Sequence, residues 1–178
     1  MKLMFASDIH GSAQYARLFA RRVEEENPDK VILLGDLLYH GARNALPGEY
    51  NTLETAAILN GMKEKLLCVR GNCDSEVDAL VLEFPIGAEY CILPIGNRTA
   101  ILTHGHKTPA VLKKGDILIN GHYHVPAFEE RENCTYVNSG SVSIPKENSP
   151  HSYLVLEEGC LTWKDVETGN VFRVERIC

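Results

Sequence analysis

Long hydrophobic runs are missing from this sequence. No stretch approaches the ~18 consecutive apolar residues of a membrane-spanning helix, so no membrane role is expected. The opening segment, Met1-Lys2-Leu3-Met4-Phe5-Ala6-Ser7-Asp8, turns polar too early for a secretory signal, which leaves the cytoplasm as the expected compartment. Paired cysteines are missing too. The six cysteines, at positions 68, 73, 91, 134, 160 and 178, form no C-x-x-C pair and no finger-like spacing. Reduced and mostly buried thiols are expected, with Cys73 set apart by its surroundings. A surplus of positive charge is also absent. The formal net charge of −6 argues against a broad nucleic-acid surface, because such affinity rests on neutralising phosphates with Lys and Arg. A small phosphate-containing substrate held through metal ions stays compatible with it. There is no internal repeat, linker or low-complexity segment, so the 178 residues read as one domain, long enough to bury a substantial core.

What is present is organised around Val31-Ile32-Leu33-Leu34-Gly35-Asp36. A short apolar, β-branched run bounded by turn residues predicts a strand buried on both faces of a parallel sheet. A carboxylate at the carboxyl end of such a strand is costly unless a cation compensates it. Lys2 to Ser7 predicts a preceding strand, and Ser12 to Glu26 a helix with Leu18, Phe19 and Val23 on one side and Arg21, Arg22 and Glu24–Glu26 on the other. Right-handed β-α-β crossover then places Asp8 and Asp36 at the same edge of adjacent strands. Leu37 to Asn51 is a loop, Thr52 is the expected cap of a helix over Leu53 to Lys65, and Leu66 to Arg70 is a third strand. Beyond about residue 85 short strands are predicted at 89–94, 99–103, 116–119, 126–131, 134–137, 152–157, 160–166 and 171–176, mainly linked by hairpins, with turns at Gly96-Asn97 and Glu158-Gly159. Two packed sheets with flanking helices are the expected result.

Four polar clusters fall just past the predicted strand ends: Asp8-x-His10, Gly35-Asp36, Gly71-Asn72, and His104-Gly105-His106 with Gly121-His122-Tyr123-His124. Five of the seven histidines lie in two of them. Each alone is an ordinary turn or capping pair. In this order, all at strand ends, they predict a metal site. Imidazole and carboxylate donors with an amide oxygen suit Mn, Fe, Zn or Co. Two ions need a shared anionic ligand, for which Asp36 is the candidate, and a water held between them becomes a hydroxide able to attack phosphorus at neutral pH. Alternation along an extended segment would point Tyr123 away from the metals and into packing.

This series of motifs resembles the signature of the calcineurin-like metallophosphoesterases. Over nearly the whole chain, Asp8-Ile9-His10-Gly11, His40 to Pro47, Arg70 to Asp78 and Gly140 to Lys146 resemble the small bacterial YfcE-type phosphodiesterases in particular. The resemblance implies an α/β fold, a four-layer αββα sandwich of two packed mixed sheets with flanking helices. It implies two divalent metal ions, Mn2+ foremost, with Zn2+, Fe2+, Co2+ or Ni2+ as alternatives. One would be held by Asp8, His10, Asp36 and His124, the other by Asp36, Asn72, His104 and His122.

The pattern departs from most of the family at Cys73, where a histidine that assists the leaving oxygen is usual. A thiol with a reference pKa of about 8.5 is a poor substitute. The YfcE-type subgroup shares this cysteine, which implies a leaving group that needs little protonation, or another acid nearby. His40 is the candidate for that acid, since its loop leaves the same sheet edge as Asp36; the alternative is a plain loop histidine. Asp36, Asn72, Cys73 and His40 are thus the expected catalytic set. Arg43, whose planar fork suits phosphate oxygens, joins Asn44 and His106 on the substrate side; a structural ion pair is the alternative for Arg43, and support of a metal ligand for His106. The expected activity is hydrolysis of a small phosphodiester. The alternatives are a phosphomonoesterase or nucleotide pyrophosphatase with the same site, or a non-catalytic scaffold like the retromer subunit Vps29. The subgroup resemblance also makes a homo-oligomer an expectation.

Overall fold

The computed structural model describes residues 1–107, 109 and 111–177. The first half runs β1 (Lys2–Ala6), α1 (Ala13–Glu26), β2 (Lys30–Leu33), α2 (Thr52–Asn60) and β3 (Leu66–Cys68). The second half is strand-rich: β4 (Tyr90–Ile95), β5 (Arg98–Thr103), β6 (Asp116–Asn120), β7 (Ala127–Glu130), β8 (Cys134–Asn138), β9 (Ser152–Glu157), β10 (Cys160–Asp165) and β11 (Val171–Arg176). They form a six-stranded sheet of order β11-β10-β9-β1-β2-β3 and a five-stranded sheet of order β4-β5-β6-β8-β7.

The two mixed sheets pack face to face, as expected. Alternation along β1 divides its side chains between two cores. Leu3 and Phe5 join Ile32, Leu102, Ile117, Ile119, Val137, Leu154 and the fully buried Trp163 between the sheets. Met4 and Ala6 face the other way, onto Phe19 and Val23 of α1 and Ala56 and Leu59 of α2. Each such aliphatic or aromatic side chain contributes roughly 1.5–3 kcal/mol on burial. Among the described residues both α-helices cover the six-stranded sheet. The outer face of the other sheet is closed by a small cluster, in which Val111, Leu112 and Ala127 pack against Ile101, Leu118, Cys134 and Tyr136. No helix among the described residues is long and apolar enough to cross a membrane.

Parallel pairing of β1 with β2 and of β2 with β3 brings three strand ends to one edge. The second half was expected to be linked mainly by hairpins, but β5 pairs parallel with β6 and β6 parallel with β8. Their ends point to the same region, which is what the site requires. The two expected hairpins do form: Ile95 pairs with Arg98 around Gly96-Asn97, and Glu157 with Cys160 around Glu158-Gly159. Both residues of the second turn have positive φ, the backbone a tight two-residue hairpin demands.

Three local expectations need correction. The cap of α2 is Asn51, not Thr52, and its Oδ1 accepts from the Glu54 N–H at 3.1 Å. That helix ends at Asn60, five residues early, because the Asn60 amide turns outward to bond the Val81 carbonyl and the Glu83 N–H. Arg22 is buried rather than solvated: its guanidinium donates to the carbonyls of Val166 and Glu167, which fold back over α1 from the far end of the chain.

Candidate metal centre

The carboxyl ends of β1, β2 and β3 in one sheet and of β5 and β6 in the other converge on one cluster. Asp8 and His10 follow β1, Asp36 follows β2, Asn72 follows β3, His104 follows β5, and His122 and His124 follow β6. The turns interlock. The Asp8 N–H donates to Gly35 O at 3.1 Å and the His10 N–H to Asp36 O at 3.0 Å. Asp74, which the motif reading had passed over, holds the Asp36 turn: its carboxylate accepts from the N–H groups of Asp36 and Leu37 at 2.8 Å and of Gly71 at 2.7 Å. Two glycines permit the close approach. A Cβ on Gly71 would lie 2.1 Å from Asp36 Oδ1, and one on Gly121 1.9 Å from Ser7 Oγ and 2.7 Å from Asp8 Oδ2.

Five of the seven expected ligands, Asp8, His10, Asp36, His122 and His124, have φ between 50° and 66°. L-residues occupy this left-handed region at a cost, and such strain concentrates where side chains must be aimed. It also corrects the picture of residues 121–124 as an extended segment. His122 and His124 converge through two left-handed residues, while Tyr123 stands 54% exposed at the rim of the cleft instead of packing.

The imidazoles are aimed from behind. Nδ1 of His10 lies 2.7 Å from Tyr39 O, that of His104 2.7 Å from Leu34 O, and that of His124 2.6 Å from Ile144 O. A proton on each Nδ1 donates to its carbonyl and leaves Nε2 directed inward. His10 and His124 then place Nε2 at 3.5 and 3.2 Å from Asp8 Oδ1. On the other side His104 Nε2 lies 3.3 Å from Asp36 Oδ2, 3.1 Å from Asn72 Oδ1 and 3.2 Å from His122 Nδ1. Asp36 Oδ2 also faces His10 Nε2 at 3.8 Å, so this one oxygen borders both groups. The ligating atoms of Asp8, His10 and His124 fall within 4.8 Å of one another, as do those of Asp8, Asp36 and His104, and those of His10, Asp36 and Cys73.

Burial by itself would raise the Asp8 carboxyl, but contact with His10 and His124 and the charge of His104 hold it well below the usual range. His104, lowered by burial alone, is pushed up to about 9 by Asp36 and Asp8. His122 shifts down through burial and the nearby His104. The Cys73 thiol, buried and beside Asp36, is pushed up to about 12. Among the expected site residues two buried atoms have no hydrogen-bond partner, Asp8 Oδ1 in the cluster and His40 Nδ1 outside it. A buried carboxylate oxygen ringed by inward imidazole nitrogens fits a divalent cation, the one ligand that satisfies all of them together.

The other expected residues divide. Arg43 and Asn44 line a cleft of 450 Å³ above Asp36, Asn72, Cys73, His122 and His124, although the Asn44 amide donates to His40 O at 2.8 Å. The His40 ring packs edge-on between Tyr39 and Tyr50 and is not among the residues lining that cleft. His106 is exposed beyond the cluster, its ring 5.5 Å from that of His104, and lines an adjoining groove with Asn72. Lys146, not among the expected site residues, also lines the cleft. The only hint of it in the sequence was its place in the resembling segment 140–146.

Residues 1–159 match the family model for the calcineurin-like phosphoesterase superfamily domain. The chain belongs to that superfamily. Phosphodiesterase YfcE of Escherichia coli K12 is 43% identical over 167 residues, covering 91% of this chain and 90% of the relative. A solved structure of that E. coli phosphoesterase superposes with a TM-score of 0.93 at 39% identity over all of both chains. Vps29 of Entamoeba histolytica, solved with Zn2+, superposes with a TM-score of 0.65 at 21% identity over the whole of both chains, a likeness of fold alone. Both solved structures share the fold that brings these strand ends together.

Proposed function

We propose that the protein is a metal-dependent phosphodiesterase that hydrolyses a small phosphodiester at this centre. Asp8, His10, Asp36 and His124 hold one divalent ion, and Asp36, Asn72, His104 and His122 hold the other. Manganese suits this set, which offers imidazole, carboxylate and amide donors. Divalent ions bound there acidify a water and neutralise phosphoryl oxygens. The observation that carries the reading is the buried, unpartnered Asp8 Oδ1 facing His10 and His124. The 43% identity to the E. coli phosphodiesterase supports the diester as substrate.

The chain's own groups prepare the reaction. Backbone carbonyls of Tyr39, Leu34 and Ile144 orient three imidazoles before any ligand arrives, so little reorganisation is needed on binding. Asp74 fixes the turn that presents Asp36, and the Cys73 N–H donates to Asp36 Oδ1 at 2.8 Å, so that Oδ2 faces His104 and His10. Burial and the Asp36 charge push the Cys73 thiol up, which disfavours the thiolate and argues against Cys73 as a nucleophile. In the reaction the oxygen of one water joins phosphorus, the bond from phosphorus to one ester oxygen breaks, and a monoester and an alcohol leave.

The test is hydrolysis of bis(p-nitrophenyl) phosphate by chelator-stripped protein with Mn2+ restored, beside p-nitrophenyl phosphate. Metal-dependent turnover favouring the diester, lost in Asp36→Ala and His122→Ala, is the expected result. Preference for the monoester would replace this reading with a phosphomonoesterase. Absence of turnover with any divalent metal in folded protein would remove catalysis altogether.

A further inference from the structure

Two grooves meet at Asn72, and they differ in charge. The first, 450 Å³, is the cleft over the candidate metal ligands, and both Arg43 and Lys146 line it. The second, 550 Å³, runs past Arg70, Tyr90, His106 and Lys107. In this second groove the cations are occupied. Lys107 pairs with Glu89 at 3.3 Å, and Arg70 Nε donates to Asp74 O at 3.2 Å.

Arg43 and Lys146 are different. Of the eighteen Lys and Arg side chains, nine are in ion pairs within the described residues, such as Lys2 and Lys164 with Glu26, Arg17 with Glu49 and Glu54, and Lys63 with Glu83; Lys30, Lys65, Arg70 and Arg98 donate instead to backbone or side-chain amide oxygens. Among the described residues, neither Arg43 nor Lys146 is in an ion pair, and both stand exposed on one cleft whose only carboxylate is Asp36. The backbone around each is bonded: the Asn44 N–H donates to Gly41 O at 3.3 Å beside Arg43, and the Lys146 N–H donates to His124 O at 3.1 Å.

We infer that the substrate is an asymmetric phosphodiester, one of whose ester arms carries a second anionic group, a carboxylate or phosphate, held by Arg43 and Lys146. This rests on the phosphodiesterase reading. The metal ions neutralise the scissile phosphate, so two further unpaired cations in the same cleft fit a further negative charge. The other arm is uncharged and lies in the groove of Tyr90 and His106, where the protein's own charges are already balanced. Arg43 supplies a planar fork and Lys146 a point charge, which together suit either anion.

The experiment compares two p-nitrophenyl phosphodiesters that differ only in the second arm, methyl against carboxymethyl, with Mn2+-loaded protein. A charge-assisted hydrogen bond corresponds to about tenfold or more in kcat/KM favouring the carboxymethyl diester. In the Arg43→Gln, Lys146→Gln double variant the ratio should fall to near one. Calorimetry gives a second readout through the products: the wild type should bind phosphoglycolate about tenfold tighter than methyl phosphate, and the double variant should bind both alike. A wild-type ratio near one overturns the inference. So does a ratio unchanged in the double variant, which would assign the preference to chelation by the carboxylate. Failure to turn over either diester would instead overturn the phosphodiesterase reading, and product binding would still decide whether the cleft reads the second anion.

Discussion

A carboxylate sits beside each end of β1, Glu26 from the last turn of α1 at one and Asp8 at the other, and the chain treats them in opposite ways. At the amino end, Glu26 meets the ammonium groups of Lys2 and Lys164 at 2.5 Å and the Tyr153 hydroxyl at 3.1 Å. Its charge is neutralised by the chain itself. At the carboxyl end, Asp8 is fully buried with Oδ1 unpartnered, facing imidazoles whose outer nitrogens are already committed to carbonyls. An uncompensated buried charge costs several kcal/mol, so the second arrangement persists only where something else supplies the positive charge. The first carboxylate closes the fold, and the second leaves it open to a ligand.

Breaking the open end should have the largest effect. Losing the metals removes several kcal/mol of transition-state stabilisation, so Asp36→Asn should lower kcat/KM for a diester by about 10³-fold or more while circular dichroism stays unchanged. Next is metal-linked stability. Divalent metal at 1,000 times its Kd should stabilise the wild type by about 4 kcal/mol, measured as a rise in Tm that a chelator reverses. Asp8→Asn should lose most of that rise, and its metal-free form should be no less stable than the metal-free wild type.

At the closed end, Glu26→Gln should destabilise the protein by about 1–2 kcal/mol, between the values for exposed and buried pairs. Burial raises the Glu26 carboxyl, but Lys164 and Lys2 outweigh it and hold the group below its ordinary value. Its stabilisation is therefore present above the ordinary carboxylate range and lost as pH falls through the depressed one. Urea melts in the acid range should show a shallower acid limb for Glu26→Gln, with metal binding unaltered. The smallest effect is expected at His40. Because its ring packs on Tyr39 and Tyr50 away from the cleft lining, His40→Ala should change kcat less than about threefold, a fraction of the usual contribution of a general acid. A loss of a hundredfold with metal content intact would return His40 to the chemistry.

Much of the open end was legible because its signals are local. Apolar runs ending in Gly-Asp or Gly-Asn announce strand ends, and β-α-β handedness puts Asp8 beside Asp36 without knowledge of the rest. Histidines gathered at further strand ends complete the set. What stayed hidden depends on distant partners. Arg22 is buried only because Val166 and Glu167 return to α1, and nothing near position 22 encodes that. The left-handed turns at His122 and His124 sit where the chain meets distant partners, the His122 N–H on Asp8 Oδ2 at 2.9 Å and His124 Nδ1 on Ile144 O at 2.6 Å. The place of Lys146 in the cleft depends on segment 139–152, pinned by bonds such as Ser141 Oγ to Asp8 O at 2.8 Å. The allocation of β9–β11 to the first sheet was equally hidden, since hairpin signals do not say which sheet they join.

The most direct test of the open carboxylate end is a count of bound metal. Manganese per chain, measured by equilibrium dialysis and elemental analysis, should reach two ions in the wild type and in Glu26→Gln. It should fall below one in Asp36→Ala, which removes the oxygen bordering both groups of ligands. A wild type that binds no manganese, or an Asp36→Ala variant that still binds two, would contradict the assignment of this site as a shared two-metal centre.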